Sequence, residues 1–250
     1  MRHHVRIALV VLGVASGWLP AQAQGRLSVG AVTWRHGTNL AVERATDFDG
    51  SNITAGERAK DWDVLGSGAG VRVSYEFPRL LTLHGEAGTA QATVRDKDVA
   101  DPNQDVASRG LNGGAYLVLG ARLGGDLGAT GNLYWSLGGA FGAVATDLEE
   151  DVNTRWDYDE TRIAMDGRVG AWVRRVGFYG GLRLVRSQVD LRETDRSNLP
   201  WEQTRTTELV RDEAAELLFG AETRGQDIVG FTELAMVGSF SATAGLMLRF

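Results

Sequence analysis

The sequence predicts an all-β fold: a transmembrane, up-and-down antiparallel β-barrel of about ten strands, with eight and twelve as the alternatives. Three observations predict it. Apolar residues recur at every second position over long stretches, the connections between those stretches alternate in length, and the face opposite the apolar one carries both Gly and charge. Composition agrees in outline. Gly supplies 33 of 250 residues, nearly double the usual ~7%, and the chain is too polar for several apolar membrane helices of about 20 residues each.

Period two is clearest in Leu65-Ser67-Ala69-Val71-Val73-Tyr75-Phe77, opposed by Gly66, Gly68, Gly70, Arg72, Ser74 and Glu76. It returns in Ala115-Leu117-Leu119-Ala121-Leu123 and in Leu133-Trp135-Leu137 continuing to Phe141 and Ala143. Successive strand side chains point to opposite faces, so such alternation argues strand. The pattern places strands at about 25–35, 63–77, 80–94, 111–123, 132–146, 165–176, 179–193, 213–223, 227–238 and 241–250. Three stretches are less regular. In 179–193 the apolar parity changes between Leu184 and Val185, which calls for a bulge or an early strand end. In 227–238 both faces are mixed, and 208–223 has the Glu, Ala and Leu of a good helix former.

The connections alternate long and short: 36–62, then Pro78-Arg79; 95–110, then 124–131; 147–164, then Gly177-Phe178; 194–212, then 224–226. Only the last, near Gly238, is short where a long one is due. Pro78, Pro102 and Pro200 all fall in connections, as ladder hydrogen bonding requires. Long–short alternation is the habit of closed membrane barrels, in which the backbone satisfies its own hydrogen bonds. Charges must then point away from lipid. Arg72, Glu76, His84, Glu86, Arg122, Arg168, Arg174 and Arg249 are the expected luminal set. Trp34 and Trp62 at one end, and Tyr75, Phe77, Trp135, Phe178 and Tyr179 at the tight-turn end, are the expected aromatic girdle, where amphipathic rings suit a lipid–water boundary.

Residues 1–23 have the layout of a secretory signal peptide: Arg2 and Arg6, an apolar run from Ile7 to Ala15, and Ala21-Gln22-Ala23 as a small-residue cleavage site. The barrel domain is then 24–250. Cleavage lowers the 26 basic residues to 24 against 32 acids, a net charge of −8, which argues against a nucleic-acid partner. With no Cys there is no disulfide framework, no thiol chemistry and no Cys-ligated zinc, and no cofactor is expected.

The chain ends Thr243-Ala-Gly-Leu-Met-Leu-Arg-Phe250. Thr243, Gly245, Leu248 and Phe250 resemble the C-terminal assembly signal of bacterial outer-membrane β-barrel proteins: a polar residue, a Gly, a hydrophobic residue and a terminal Phe at set spacings. The resemblance covers the whole barrel in architecture and these eight residues in motif. It implies a Gram-negative outer membrane as the location, lipid and lipopolysaccharide as surroundings, and the barrel assembly machinery as a partner during biogenesis. It also implies that the last strand closes against the first.

Function within that class is expected to be non-enzymatic: a structural or surface-interaction role, or a narrow passive pore with a charged lumen. The alternative is an outer-membrane barrel hydrolase using His36 or His84, similar to lipid A deacylases and phospholipases or to rim proteases. His84 lies two residues from Glu86 on one face, with Ser74 or Ser136 as nucleophile candidates. His36 lies beside Trp34 near rim acids such as Asp63 and Asp147. The segment 147–160 holds seven acids against one Arg, so weak divalent-cation binding is expected there, with a second acidic group at Asp96, Asp98, Asp101 and Asp105.

Overall fold

The computed structural model describes residues 25–46, 51, 61–78, 81–97, 108–128, 131–149, 154–196, 203–223, 225–237 and 239–250. Residues 1–23, expected as a signal peptide, the acids at 98, 101 and 105, and the central parts of the long connections lie outside the described residues. Ten antiparallel strands follow one another around a closed barrel: β1 (Arg26–Thr46), β2 (Asp61–Glu76), β3 (Leu81–Lys97), β4 (Ser108–Leu127), β5 (Leu133–Glu149), β6 (Thr154–Val173), β7 (Val176–Asp195), β8 (Gln203–Thr223), β9 (Ile228–Met236) and β10 (Ser239–Arg249). Segment 208–223 is strand throughout, its helix-forming composition overridden by pairing on both sides. β10 pairs with β1 from Ser28↔Arg249 to Thr38↔Ser239, and the Phe250 amide donates to the Leu27 carbonyl at 2.8 Å.

Strand length divides the barrel into two tiers. A tilted strand crosses a bilayer in about 9–11 residues. β9 and β10 have 9 and 11 residues and do no more than that. The other eight have 16 to 21 and run well past it. Beyond the β9–β10 hairpin, β1 leaves β10 and pairs directly with β8, from Ala41↔Val210 to Thr46↔Thr206. Ten strands thus become eight. The short final connection, the one exception to the alternation, is the hairpin that makes this step.

The two tiers have opposite polarity. On β6, Ile163, Met165, Val169 and Val173 face outward and are exposed, while Arg162, Asp166 and Arg168 face inward. Nearer the other end of the same strand, Asp157 and Asp159 face outward, and Trp156 and Tyr158 are buried inside. Outward Leu137, Met165, Leu182 and Leu246 are each 57–64% exposed, part of an apolar belt around the ten-stranded tier far larger than a water-soluble surface tolerates. Lipid is the solvent that suits it. The eight-stranded tier, here called the crown, is built as a soluble barrel is. Leu40, Val64, Ala92, Val94, Trp156, Tyr158, Val189, Leu191 and Leu209 are all 5% exposed or less and form one core, with Trp62 and Val144 packed against it. Eight strands enclose a space that side chains just fill.

This inversion corrects three sequence expectations. β1 continues to Thr46, β6 starts at Thr154 and β8 at Gln203, each far into segments expected as loops, because lipid-facing apolarity stops at the membrane edge while hydrogen bonding does not. On β7 the strand parity never changes: Arg183, Val185, Ser187, Val189 and Leu191 all face in. What changes at Val185 is the solvent outside. A bulge does lie at that level, on the neighbouring strand, where Val185↔Ala214 is followed by Ser187↔Arg211. It bends β8 from β9 across to β1.

Candidate functional site

The inward face of the ten-stranded tier is the one place where polar chemistry converges. Much of the Gly excess serves it sterically. At Gly66, Gly68, Gly120, Gly170, Gly220 and Gly245, an added Cβ would collide with the inward rings of His36, Trp34, His84, Tyr134, Tyr179 and Phe231 respectively. Each ring lies flat across a Gly on an adjacent strand. A cavity of about 840 Å³ remains beneath the crown, reaching from Trp34, His36 and Glu160 to the tight-turn residues Pro78, Asp126 and Thr223.

Seven charged side chains form an alternating chain along its wall: Arg122, Asp166, Arg168, Glu233, Arg183, Glu216 and Arg162. Arg168 Nη1 meets Glu233 Oε2 at 2.6 Å and Arg168 also binds Asp166. Arg183 bonds to the other Glu233 oxygen and lies 4.0 Å from Glu216, which Arg162 approaches at 3.7 Å. Arg122 closes one end at 3.7 Å from Asp166. The Tyr179 hydroxyl donates to Glu233 at 3.1 Å, under the Arg168 guanidinium, and Ser239 donates to the fully buried Glu216. Elsewhere Arg72 pairs with Glu86 and stacks over Phe231 at 4.2 Å, and Arg249 meets Glu76 at 3.2 Å. A buried charge is tolerable only when paired, and here each of the five interior members of the chain, Asp166 to Glu216, has two partners of opposite charge.

At the base of the crown, His36 Nε2 lies 3.3 Å from Glu160 Oε2, and the Tyr158 hydroxyl donates to the same oxygen at 2.8 Å. Trp34 stacks on His36 with ring centroids 5.2 Å apart. Burial alone would raise the Glu160 carboxyl, but His36, Arg162 and the Tyr158 hydroxyl more than offset it and hold the group down at about 2. Burial, followed by the charge of Glu160, pushes the Tyr158 hydroxyl well above its ordinary range.

Of the expected luminal charges, Arg72, Glu76, His84, Glu86, Arg122, Arg168 and Arg249 all lie on inward positions. Arg174 does not: it sits exposed in the β6–β7 turn with φ 58°, the strand having ended at Val173. Tyr75, Phe77, Trp135 and Phe178 lie around the turn end, with Tyr75 and Phe77 packed edge to face at 4.7 Å and Phe178 exposed outward. Trp34, Trp62 and Tyr179 point inward instead, because two lie at or above the membrane edge and the third shares the parity of Arg183. Glu160, Arg162, Asp166, Arg183, Glu216 and Glu233 were missed. The first two fell in a supposed loop, Asp166 at the very start of the expected strand 165–176, and the other three in strands of mixed or irregular pattern. Continuing the even-numbered parity of β6 backward from Arg168 would have found the first three.

Segment 147–160 is mostly strand, and its acids part company. Asp157 and Asp159 face outward, with Arg155 at 2.9 Å from Asp157 and 3.6 Å from Asp147, whereas Glu160 faces in. Among the described residues, no three His, Asp or Glu side chains gather as metal ligands would.

No protein-family model and no curated protein matches the chain. Solved structures do. The outer membrane protease OmpT of Escherichia coli aligns over 94% of this chain and 100% of its own, with a TM-score of 0.55 at 10% identity. The chain has the fold of a bacterial outer-membrane β-barrel. The translocator domain of the Neisseria meningitidis autotransporter NalP covers 99% of this chain and 96% of its own at 15% identity and a TM-score of 0.46. Ail, the attachment invasion locus protein of Yersinia pestis, aligns at 11% identity over 90% of this chain and 99% of its own, with a TM-score of 0.36. At such identities the likeness is one of fold, and activity must be argued from this barrel's own residues.

Proposed function

We propose that this is a non-enzymatic Gram-negative outer-membrane barrel that conducts no solute and presents its crown to the exterior in a structural or surface-interaction role. The observation that carries this reading is the crown core. Nine buried apolar side chains close the eight-stranded tier, so a solute entering the polar lumen meets a dry end wall. The tight turns, with the start of β1 and the end of β10, then face the periplasm. Export by the signal peptide, and reading of Thr243, Gly245, Leu248 and Phe250 by the assembly machinery, belong to the same proposal. So does contact of the apolar belt with outer-membrane lipid and lipopolysaccharide.

The hydrolase alternative has less support. His84 lies inside the membrane tier, out of reach of acyl chains, and the Glu86 carboxylate that could orient it is held by Arg72. Ser74 stands opposite His84 in register, but its hydroxyl lies against Met247 Sδ at 3.8 Å. His36 is buried at 6% exposure beneath the crown rather than displayed at a rim. In planar bilayers the purified protein is expected to give no stable openings. Reproducible nanosiemens-scale steps would contradict closure, and a lipase, deacylase or protease activity abolished by His36→Ala or His84→Ala would contradict the non-enzymatic reading.

A further inference from the structure

The cavity beneath the crown has two unlike walls. Midway along β4, β5 and β6 a patch of inward side chains is small and apolar: Val118 opposite Gly142, and Ala140 between Gly120 and Ala164. At the turn-end edge of this patch stands Arg122, opposite Gly138. It is an end member of the ion chain, with one acid within ion-pair distance. Its ion pair to Asp166 is 3.7 Å long, that carboxylate is already bound by Arg168, and the buried Arg122 Nε has no acceptor. A guanidinium carries five donors and gains most from a planar, bidentate oxygen acceptor. We propose that this cavity binds a small amphipathic carboxylate, its head group on Arg122 and its carbon chain along the Val118–Ala140–Gly142–Ala164 wall.

Size and chemistry both bear on the choice. Small-molecule pockets fall between roughly 300 and 1,000 Å³; this cavity, at about 840 Å³, is of that size and sets an apolar patch beside its charged wall. An inorganic anion would satisfy Arg122 and leave the apolar wall unused. A neutral hydrocarbon would fill the wall and leave the donors of Arg122 unmet, at a cost. With the crown closed, the ligand enters past the tight turns, so the side of entry rests on the orientation proposed above. Binding itself does not: a conducting barrel would fail the bilayer test and still bind.

The test is calorimetric titration of octanoate into the full barrel in phospholipid nanodiscs, with empty nanodiscs subtracted. Arg122→Gln removes the charge, and Ala140→Phe fills the wall without touching a charge. Octanoate is expected to bind the native barrel, and each variant is expected to bind it about tenfold more weakly or worse: Arg122→Gln because losing one partner of a buried charge pair costs at least that much, Ala140→Phe because the ring takes the volume the carbon chain would fill. Octan-1-ol and inorganic phosphate should each bind at least about tenfold more weakly than octanoate, as each offers only half of the match. Both variants should keep the faster gel mobility of the unheated, folded barrel. Absence of octanoate binding to the native protein, native-like octanoate affinity in either folded variant, or octan-1-ol or phosphate binding as tightly as octanoate would each overturn the proposal.

Discussion

Glu233→Ala is expected to lower the stability of the folded barrel by about 3–5 kcal/mol, the usual cost of removing one member of a buried ion pair. Glu233 holds Arg168 through one oxygen at 2.6 Å and Arg183 through the other, and accepts the Tyr179 hydroxyl at 3.1 Å. Without it, two guanidiniums on β6 and β7 remain in the lumen. Arg168 keeps Asp166, but Arg183 is left with Glu216 at 4.0 Å, an acid it shares with Arg162. Glu233→Gln keeps the size and one hydrogen-bond acceptor and should fall between. Glu76→Ala is the contrast: Glu76 is half exposed beside Arg249, and an exposed pair contributes about 1 kcal/mol or less. The measurement is the urea midpoint for loss of the fast-migrating folded band. Equal midpoints for Glu233→Ala and Glu76→Ala would show that the luminal ion chain does not hold the barrel together.

Trp156→Ala should cost a similar ~3–5 kcal/mol for a different reason. Trp156 is 5% exposed in the crown core with Tyr158, Val189, Leu191 and Leu209, and its removal leaves a void that a closed ring of paired strands cannot collapse to fill. The loss should be local. Protease added from outside is expected to cut the crown of the variant faster than that of the native protein, while the membrane tier still migrates as folded. Asp157→Ala, one residue away and on the outward face beside Arg155, should change crown proteolysis little. If the two variants were cut alike, the crown would not be held by an apolar core.

The architecture was legible because a lipid-facing strand declares itself by period alone. Leu133-Trp135-Leu137 needs no partner to be recognised, and the terminal Phe250 pattern named the class. The crown was not legible for the same reason. A stretch such as Thr154 to Glu160 has perfect alternation, with Trp156 and Tyr158 on one face and Asp157 and Asp159 on the other, but its polarity is reversed relative to 163–173. A reading that ties apolar residues to the outer face places a loop there. The luminal site suffered in proportion. Arg72, Glu86 and Arg122 lie where the apolar outward alternation is unbroken, whereas Arg183 stands directly before the Leu184–Val185 inversion, and Glu216 and Glu233 stand on strands whose period was blurred. Arg183 and Glu216 stand opposite each other on neighbouring strands, but Glu233 on β9 meets Arg183 on β7 and Arg168 on β6, which the curvature of the closed ring brings face to face.

The central claim is a barrel open toward one side only, with its polar lumen sealed outward by the crown. The chain has no Cys, so a single introduced thiol reports without background. Ala140→Cys places one on the lumen wall and Asp190→Cys one on the exposed outward face of the crown. A membrane-impermeant maleimide added to intact cells is predicted to label Asp190→Cys and to spare Ala140→Cys, and to label both once it is admitted to the periplasm. Labelling of Ala140→Cys in intact cells would mean that the lumen opens through the crown, and would contradict the account.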